Sequence, residues 1–453
     1  MSALIQLLQN RSAGTASSTT SATLANSSNA GGNQPPANGS GDTSSSSATS
    51  GTAAYTLNDG TVAQDNQTYS ASNQDESAVK VIGTGSLTLT NATITTSGNT
   101  SSTDNSSFYG LNAAVLAYDG GTVNVSGSMI TTSGTGANGA FASGTGASVV
   151  LSNDTITATG DGGHGVMATR GGTMALKDVD ITTSGGSSSA IATDRGGGTI
   201  TVNGGTVATS GNNSADIYST GAITVSNATM TSSGAEAAVI EGANSITLTD
   251  TSLFSSYENK WGVMIYQSMS GDAQGTEGTF TMTGGSLAYA STEGPLFYVT
   301  NSTGKIDLKD VNLTVGSGVL LKASAGSWGS NGSNGGTAIL TADGQTLSGD
   351  LVADNISTLT LTLQNGSTLK GSINADDQAK SASLTLDASS AWTVTADSYL
   401  ASLSDAGGIS GNSITNIIGN GNTVYYDASN SANSALGGLT YSLVNGGQLT
   451  PIK

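Results

Sequence analysis

Only two arginines follow residue 11, Arg170 and Arg195, and each closes a short apolar run. A guanidinium presents a planar fork of donors that matches a carboxylate, uronic acids included. His164, the single imidazole of the chain, opens the run that carries Arg170; Asp194 adjoins Arg195, and Glu241 follows two repeats after Asp194. The candidate ligand-binding set is therefore His164, Arg170, Asp194, Arg195 and Glu241, bounded by an insertion from Gln267 to Asp272. Aligning the runs at Val115, Ala140, Val166, Ala190 and Asp216 sets Asp194 beside Arg170. The plainer reading is then an ion pair between adjacent repeats, worth roughly 0–1 kcal/mol if exposed.

No catalytic constellation accompanies this set. The chain has no cysteine and a single histidine, which removes thiol nucleophiles, cysteine metal sites and histidine relays. No metal ligand and no cofactor is assigned. Ca²⁺ is the one ion that acidic residues on neighbouring repeats would suit, and Asp154, Asp178 and Asp180 are so placed. Turn chemistry is the plainer account of these three, because their frame positions already explain them and Asp tolerates a left-handed backbone. Trp261, Trp328 and Trp392 offer faces on which sugar rings could stack, or rings that pack loops.

The elements that must carry these residues come from one eight-residue frame repeated nine times, Φ-x-Φ-x-[N/D/G]-x-x-Φ, with Φ apolar. Copies begin at Leu87, Val123, Val149, Met174, Ile200, Ile223, Ile246, Phe280 and Ile306. Their fifth slots are Asn91, Gly127, Asn153, Asp178, Gly204, Asn227, Asp250, Gly284 and Asp310, the residue types that accept positive φ. Alternation marks a strand with one face inward; the fifth residue bends the chain, and the last apolar residue opens a second strand on the same core. A third apolar run, such as Val166-Met167-Ala168, lies between frames. Three short strands per rung, stacked about 4.8 Å apart, predict an all-β, right-handed parallel β-helix of about 12 rungs with terminal caps. The middle apolar slots, from Leu89 through Leu151 to Leu308, are expected to stack in one inward file.

Composition agrees. Of 453 residues 64 are Gly and 9% are charged, and 12 basic against 31 acidic residues give a net charge of −19. That balance disfavours nucleic acid and anionic membranes as partners. Residues 1–52 read as a low-complexity flexible segment; its apolar patch from Leu4 to Leu8 is too short for a membrane span and lacks the basic leader of a signal peptide. Residues 53–390 form the β-helix, with regular rungs over about 80–321 after an irregular N-terminal cap, and 391–453 form a C-terminal β cap. Two insertions interrupt the rhythm, Asn99 to Ser107 and Met269 to Gly278. Long loops are where function gathers.

The bend residues repeated along the stack resemble the asparagine ladder of the pectin-lyase-like β-helix superfamily. The Ser/Thr/Gly-rich composition resembles the adhesin-like and autotransporter-passenger proteins of bacteria. The likeness covers roughly residues 80 to 390 and implies a secreted or surface-displayed bacterial protein that binds a polysaccharide or cell-surface glycan. The polygalacturonase motifs are incomplete: Gly163-His164-Gly165 is present, but Asp376-Asp377 falls far after it and no Arg-Ile-Lys follows. A polysaccharide lyase or glycoside hydrolase is the alternative. Ice binding is a lesser one, resting on outward pairs such as Thr95/Ser97, Thr131/Ser133 and Thr157/Thr159. The chain closes on Leu-Thr-Pro-Ile-Lys rather than on an aromatic-ended barrel strand.

Overall fold

A computed structural model describes residues 49–452, apart from Asn259 and Ala406. Residues 1–48 of the expected flexible segment, with the Leu4 to Leu8 patch, lie outside the described residues. The rest is a parallel β-solenoid. Sheet A stacks 12 strands from Thr52–Leu57 to Asp350–Ala353, sheet B 14 strands from Thr61–Asp65 to Ser402–Ser404, and sheet C 10 strands from Thr68–Ala71 to Asn312–Val315. A nine-stranded sheet D, opening with Thr346–Ser348, takes over from sheet C.

The frame works as its chemistry demands. All nine fifth-slot residues have positive φ, between 46° and 77°. Each bend keeps the ladder continuous: Asn91 N–H donates to Ser126 O, Asn153 N–H to Lys177 O and Asn227 N–H to Thr249 O, at 2.9 to 3.1 Å. The side chains of these bend residues are exposed, so what selects them is the backbone and not a buried amide file. The middle slots pair in register from Leu89 through Val125, Leu151, Leu176, Val202, Val225, Leu248 and Met282 to Leu308, all buried.

The solenoid has about 16 turns where about 12 were expected. The expected irregular N-terminal cap is regular stacking instead: Val62, Gln64, Asn66 and Tyr69 occupy the frame's slots and pair with Leu87, Leu89 and Ile94, with Asn66 at φ 55°. A polar Gln64 in an apolar slot conceals this copy in the sequence; it accepts a hydrogen bond from the Tyr69 hydroxyl. Later copies are disguised in two further ways. Leu340-x-Ala342-x-Gly344-x-x-Leu347 carries a small middle residue, and Leu361-x-Leu363-x-Asn365 reaches its last apolar residue, Leu369, one position late. Among the described residues, antiparallel pairing enters only at Ile409–Ser410 with Ser413–Ile418, and at Tyr441–Val444 with Gln448–Pro451, where the stack closes.

The middle strands of sheet A, from Val115–Tyr118 to Phe297–Thr300, differ from their neighbours in being buried on both faces. Their inward residues join the main core, while Leu116, Phe141, Met167, Ala192, Tyr218, Val239, Met264 and Tyr298 form a second apolar file on their outer side. The first insertion folds over one end of that file as a helix, Thr103–Tyr109. The Ser102 side chain caps it by accepting from Asn105 N–H, and Gly110 ends it at φ 70°. Trp328 packs over the other end against Tyr266, ring centroids 4.8 Å apart.

Candidate functional site

The corner where sheet A turns into sheet B carries most of the expected polar residues. Its register corrects the sequence alignment by one position. Val166 pairs with Ile191, and Ile191 with Ile217, so Asp194 lies beside Thr169 and Arg195 beside Arg170. Ala140, Val166, Ile191 and Ile217 each fall ten residues after the last apolar slot of the preceding frame, a constant that sets the register without any structure.

The shift separates the two arginines in role. Arg170 reaches back to Asp119 at 3.4 Å and lies over the rings of Tyr109 and Tyr118, 5.1 and 5.5 Å from their centroids. It therefore braces the helix against sheet A, and the alternative Arg170–Asp194 ion pair does not form. Arg195 lies over the Phe108 ring at 4.0 Å and pairs with Asp272 at 3.4 Å. Its side chain keeps 46% of its surface exposed, whereas that of Asp272 keeps 3%. A fork held on one side by a ring and on another by a carboxylate is pre-organised toward its open side.

That open side faces a cleft of about 960 Å³ between the Arg195 corner and the second insertion. Arg195, Gly197, Thr220, Asn244, Asp272 and Gln274 are among the residues that line it. Gly196 and Gly197 both take positive φ, 77° and 65°, which lets the corner open without side chains filling it. The Thr220 hydroxyl is buried at the cleft wall and has no hydrogen-bond partner.

Gln267 shapes the insertion from within. Its side-chain amide donates to Ala273 O and Gly275 O, and its oxygen accepts from Met269 N–H. Beneath the loop, the buried Glu241 carboxylate accepts from the hydroxyls of Tyr218, Tyr266 and Ser268. Burial holds both tyrosine hydroxyls well above their usual range. Asp194, also buried, accepts from Arg195 N–H at 2.7 Å. Burial pushes its pKa up to about 7, and the neighbouring Asp272 and Glu241 carboxylates act in the same direction. Gln267, Glu241 and Asp194 thus support the cleft, while Arg195 and Asp272 face it.

His164 stands apart. It precedes the strand that Arg170 follows, roughly 20 Å along an extended chain. Its ring is buried, Nδ1 lies 3.2 Å from Ser189 O, and Nε2 has no partner. Burial lowers its pKa to about 3, so the ring is neutral.

The other candidates resolve into packing and turns. Trp392 is buried with its indole N–H donated to Gly371 O, Trp328 is buried against Tyr266, and Trp261 stacks on Tyr298 at 4.3 Å. Asp154 accepts from Ser128 N–H and Ser152 N–H, Asp180 accepts from Thr206, and Asp178 forms a bend at φ 52°. Among the described residues, no three His, Cys, Asp or Glu side chains are grouped to hold a metal ion. The Thr95, Thr131, Thr157 and Thr182 file does stack on the outer side of sheet C, and Ala208 and Phe254 break it. Its companions Ser97 and Ser133 fall beyond the strand ends; the strand neighbours in their place include Met129 and Asp180.

No described helix is long and apolar enough to cross a membrane. Compared with protein-family models, curated proteins and solved structures, the chain matches none.

Proposed function

We propose that this solenoid is an adhesin-like protein of the bacterial surface or exterior that binds an acidic polysaccharide, with Arg195 as the group that engages a sugar carboxylate. One observation carries the reading: a half-exposed guanidinium, fixed by Phe108 and Asp272, looks into an open cleft large enough for several sugar residues. Asn244 and Gln274 supply amide groups for the sugar hydroxyls around it. Asp194 lies beneath the cleft and Asp272 is tied to Arg195, which leaves no free carboxylate or imidazole poised as a general base among the described cleft residues. Binding without turnover fits this arrangement better than catalysis. A rigid stack also lets weak single contacts add along a polymer.

The test is retention on immobilised polygalacturonate, with assays for unsaturated product and new reducing ends run on the same column. Wild type should be retained without turnover, and Arg195→Ala should elute early while Arg170→Ala is retained. Turnover would transfer the reading to the polysaccharide lyases and hydrolases. Equal retention of Arg195→Ala would remove the cleft from the account.

A further inference from the structure

The closing part of the stack holds a second concavity, unrelated to Arg195. Tyr399 and Tyr425 are register partners on adjacent strands of sheet D, and their rings stack at 4.7 Å with planes 10° apart. Both are partly exposed. The strand of Tyr399, Ser398–Leu400, ends the strand order of sheet D; Tyr425 covers one face of the Tyr399 ring, and on the opposite side Tyr399 N–H donates to Ile373 O of the preceding rung. Tyr399 forms one wall of a cleft of about 410 Å³, with Asn374, Asp377, Lys380, Asp427 and Ser429 around it.

The cleft is built to keep its shape. Asn374 accepts from Gln378 N–H and Ala379 N–H and donates to Tyr399 O, which ties the Asp377 loop to the tyrosine strand. Asp427 accepts from the Ser429 backbone and hydroxyl. Lys380 makes no ion pair among the described residues, so its ammonium is available. A ring face, one ammonium and two carboxylates around a cleft of this volume match one pyranose ring: C–H groups stack on the aromatic face while hydroxyls meet the charged rim. Asp397, on the residue before this strand, adds a further carboxylate nearby. Three carboxylates, one ammonium and no guanidinium leave this cleft without the forked donor that engages a uronate.

We infer that the Tyr399 cleft is a binding site for an uncharged pyranose unit. The inference shares the glycan class of the Arg195 proposal and none of its residues. The two clefts are about eight rungs apart, or roughly 40 Å at strand spacing. One chain would then hold an acidic and a neutral sugar at separate points, suited to a polymer or surface that carries both.

The probes are cellotriose, maltotriose and N,N′,N″-triacetylchitotriose, each titrated against the full chain by calorimetry and by saturation transfer from the aromatic protons. At least one should bind, and Tyr399→Ala should weaken it about tenfold, the loss expected for removing an aromatic platform. Tyr399→Phe keeps the ring face and should bind within about threefold of wild type. Near-ultraviolet circular dichroism of Tyr399→Ala, matched to wild type, separates lost binding from lost folding, and Tyr399→Phe gives the second reading if it differs. Arg195→Ala should leave these titrations unchanged. Failure of all three neutral probes would overturn the inference without touching polygalacturonate retention. Binding of a glucosamine trimer alone would overturn it too, since the cleft would then be a cation site.

Discussion

Asp154 offers a test of the inter-rung hydrogen bonding worked out from its surroundings. Its carboxylate is buried, accepts from Ser128 N–H of the preceding rung at 2.7 Å and from Ser152 N–H at 2.8 Å, and has no cationic partner. Burial raises its pKa from 3.8 to about 6, against the opposing pull of the two N–H donors. Because the folded value lies above the unfolded one, the native state keeps a proton that the unfolded chain releases. The group's contribution is thus full below about pH 4 and is lost as pH rises through about 6. A shift of that size corresponds to about 3 kcal/mol. Asp154→Asn removes the titration and leaves one of the two N–H donors facing an amide NH₂, at a cost of about 1–3 kcal/mol. Guanidinium unfolding at pH 4 and pH 8 should show wild type losing about 2.5 kcal/mol more than the variant between the two conditions. The variant should therefore be the weaker protein at pH 4 and close to wild type at pH 8. Other titrating groups, buried His164 among them, are common to both chains and cancel in the difference. Equal slopes for the two proteins would refute the argument.

Three further outcomes follow from the same physics. Leu151→Ala removes a fully buried member of the middle file and should cost about 2–5 kcal/mol in guanidinium unfolding. Asn227→Val places a β-branched residue at φ 57° and should cost about 1–2 kcal/mol or more, whereas Asn227→Gly should stay within about 1 kcal/mol of wild type. Arg170→Ala removes the Asp119 contact and both ring contacts, so hydrogen exchange over Thr103–Tyr109 should speed up by about tenfold while polygalacturonate retention persists.

The solenoid was readable because its two constraints are local. An inward alternation and a left-handed fifth residue are visible in any eight-residue window, and neither depends on distant chain. The extra rungs were hidden where one constraint was relaxed: Gln64 is polar yet hydrogen-bonded to Tyr69, and Leu369 arrives one residue late. The cleft was partly readable, because both late arginines and the insertion fall at one corner. What the pattern could not supply was register within that corner. A slip of one residue exchanged Asp194 for Arg195 as the neighbour of Arg170. The helix was missed because Asn99 to Ser107 has no long apolar period; its seven residues are held by Ser102, Gly110 and docking onto sheet A. Contacts such as Arg195 with Phe108 and Asp272 join residues far apart in sequence, and no spacing rule encodes them.

The most direct measurement is calorimetric titration of trigalacturonate into wild type and Arg195→Ala, with thermal unfolding of both chains alongside. Wild type should bind saturably and the variant at least about tenfold more weakly, with nearly equal unfolding midpoints. Binding of equal strength to both chains, or none to wild type, would contradict carboxylate binding by Arg195.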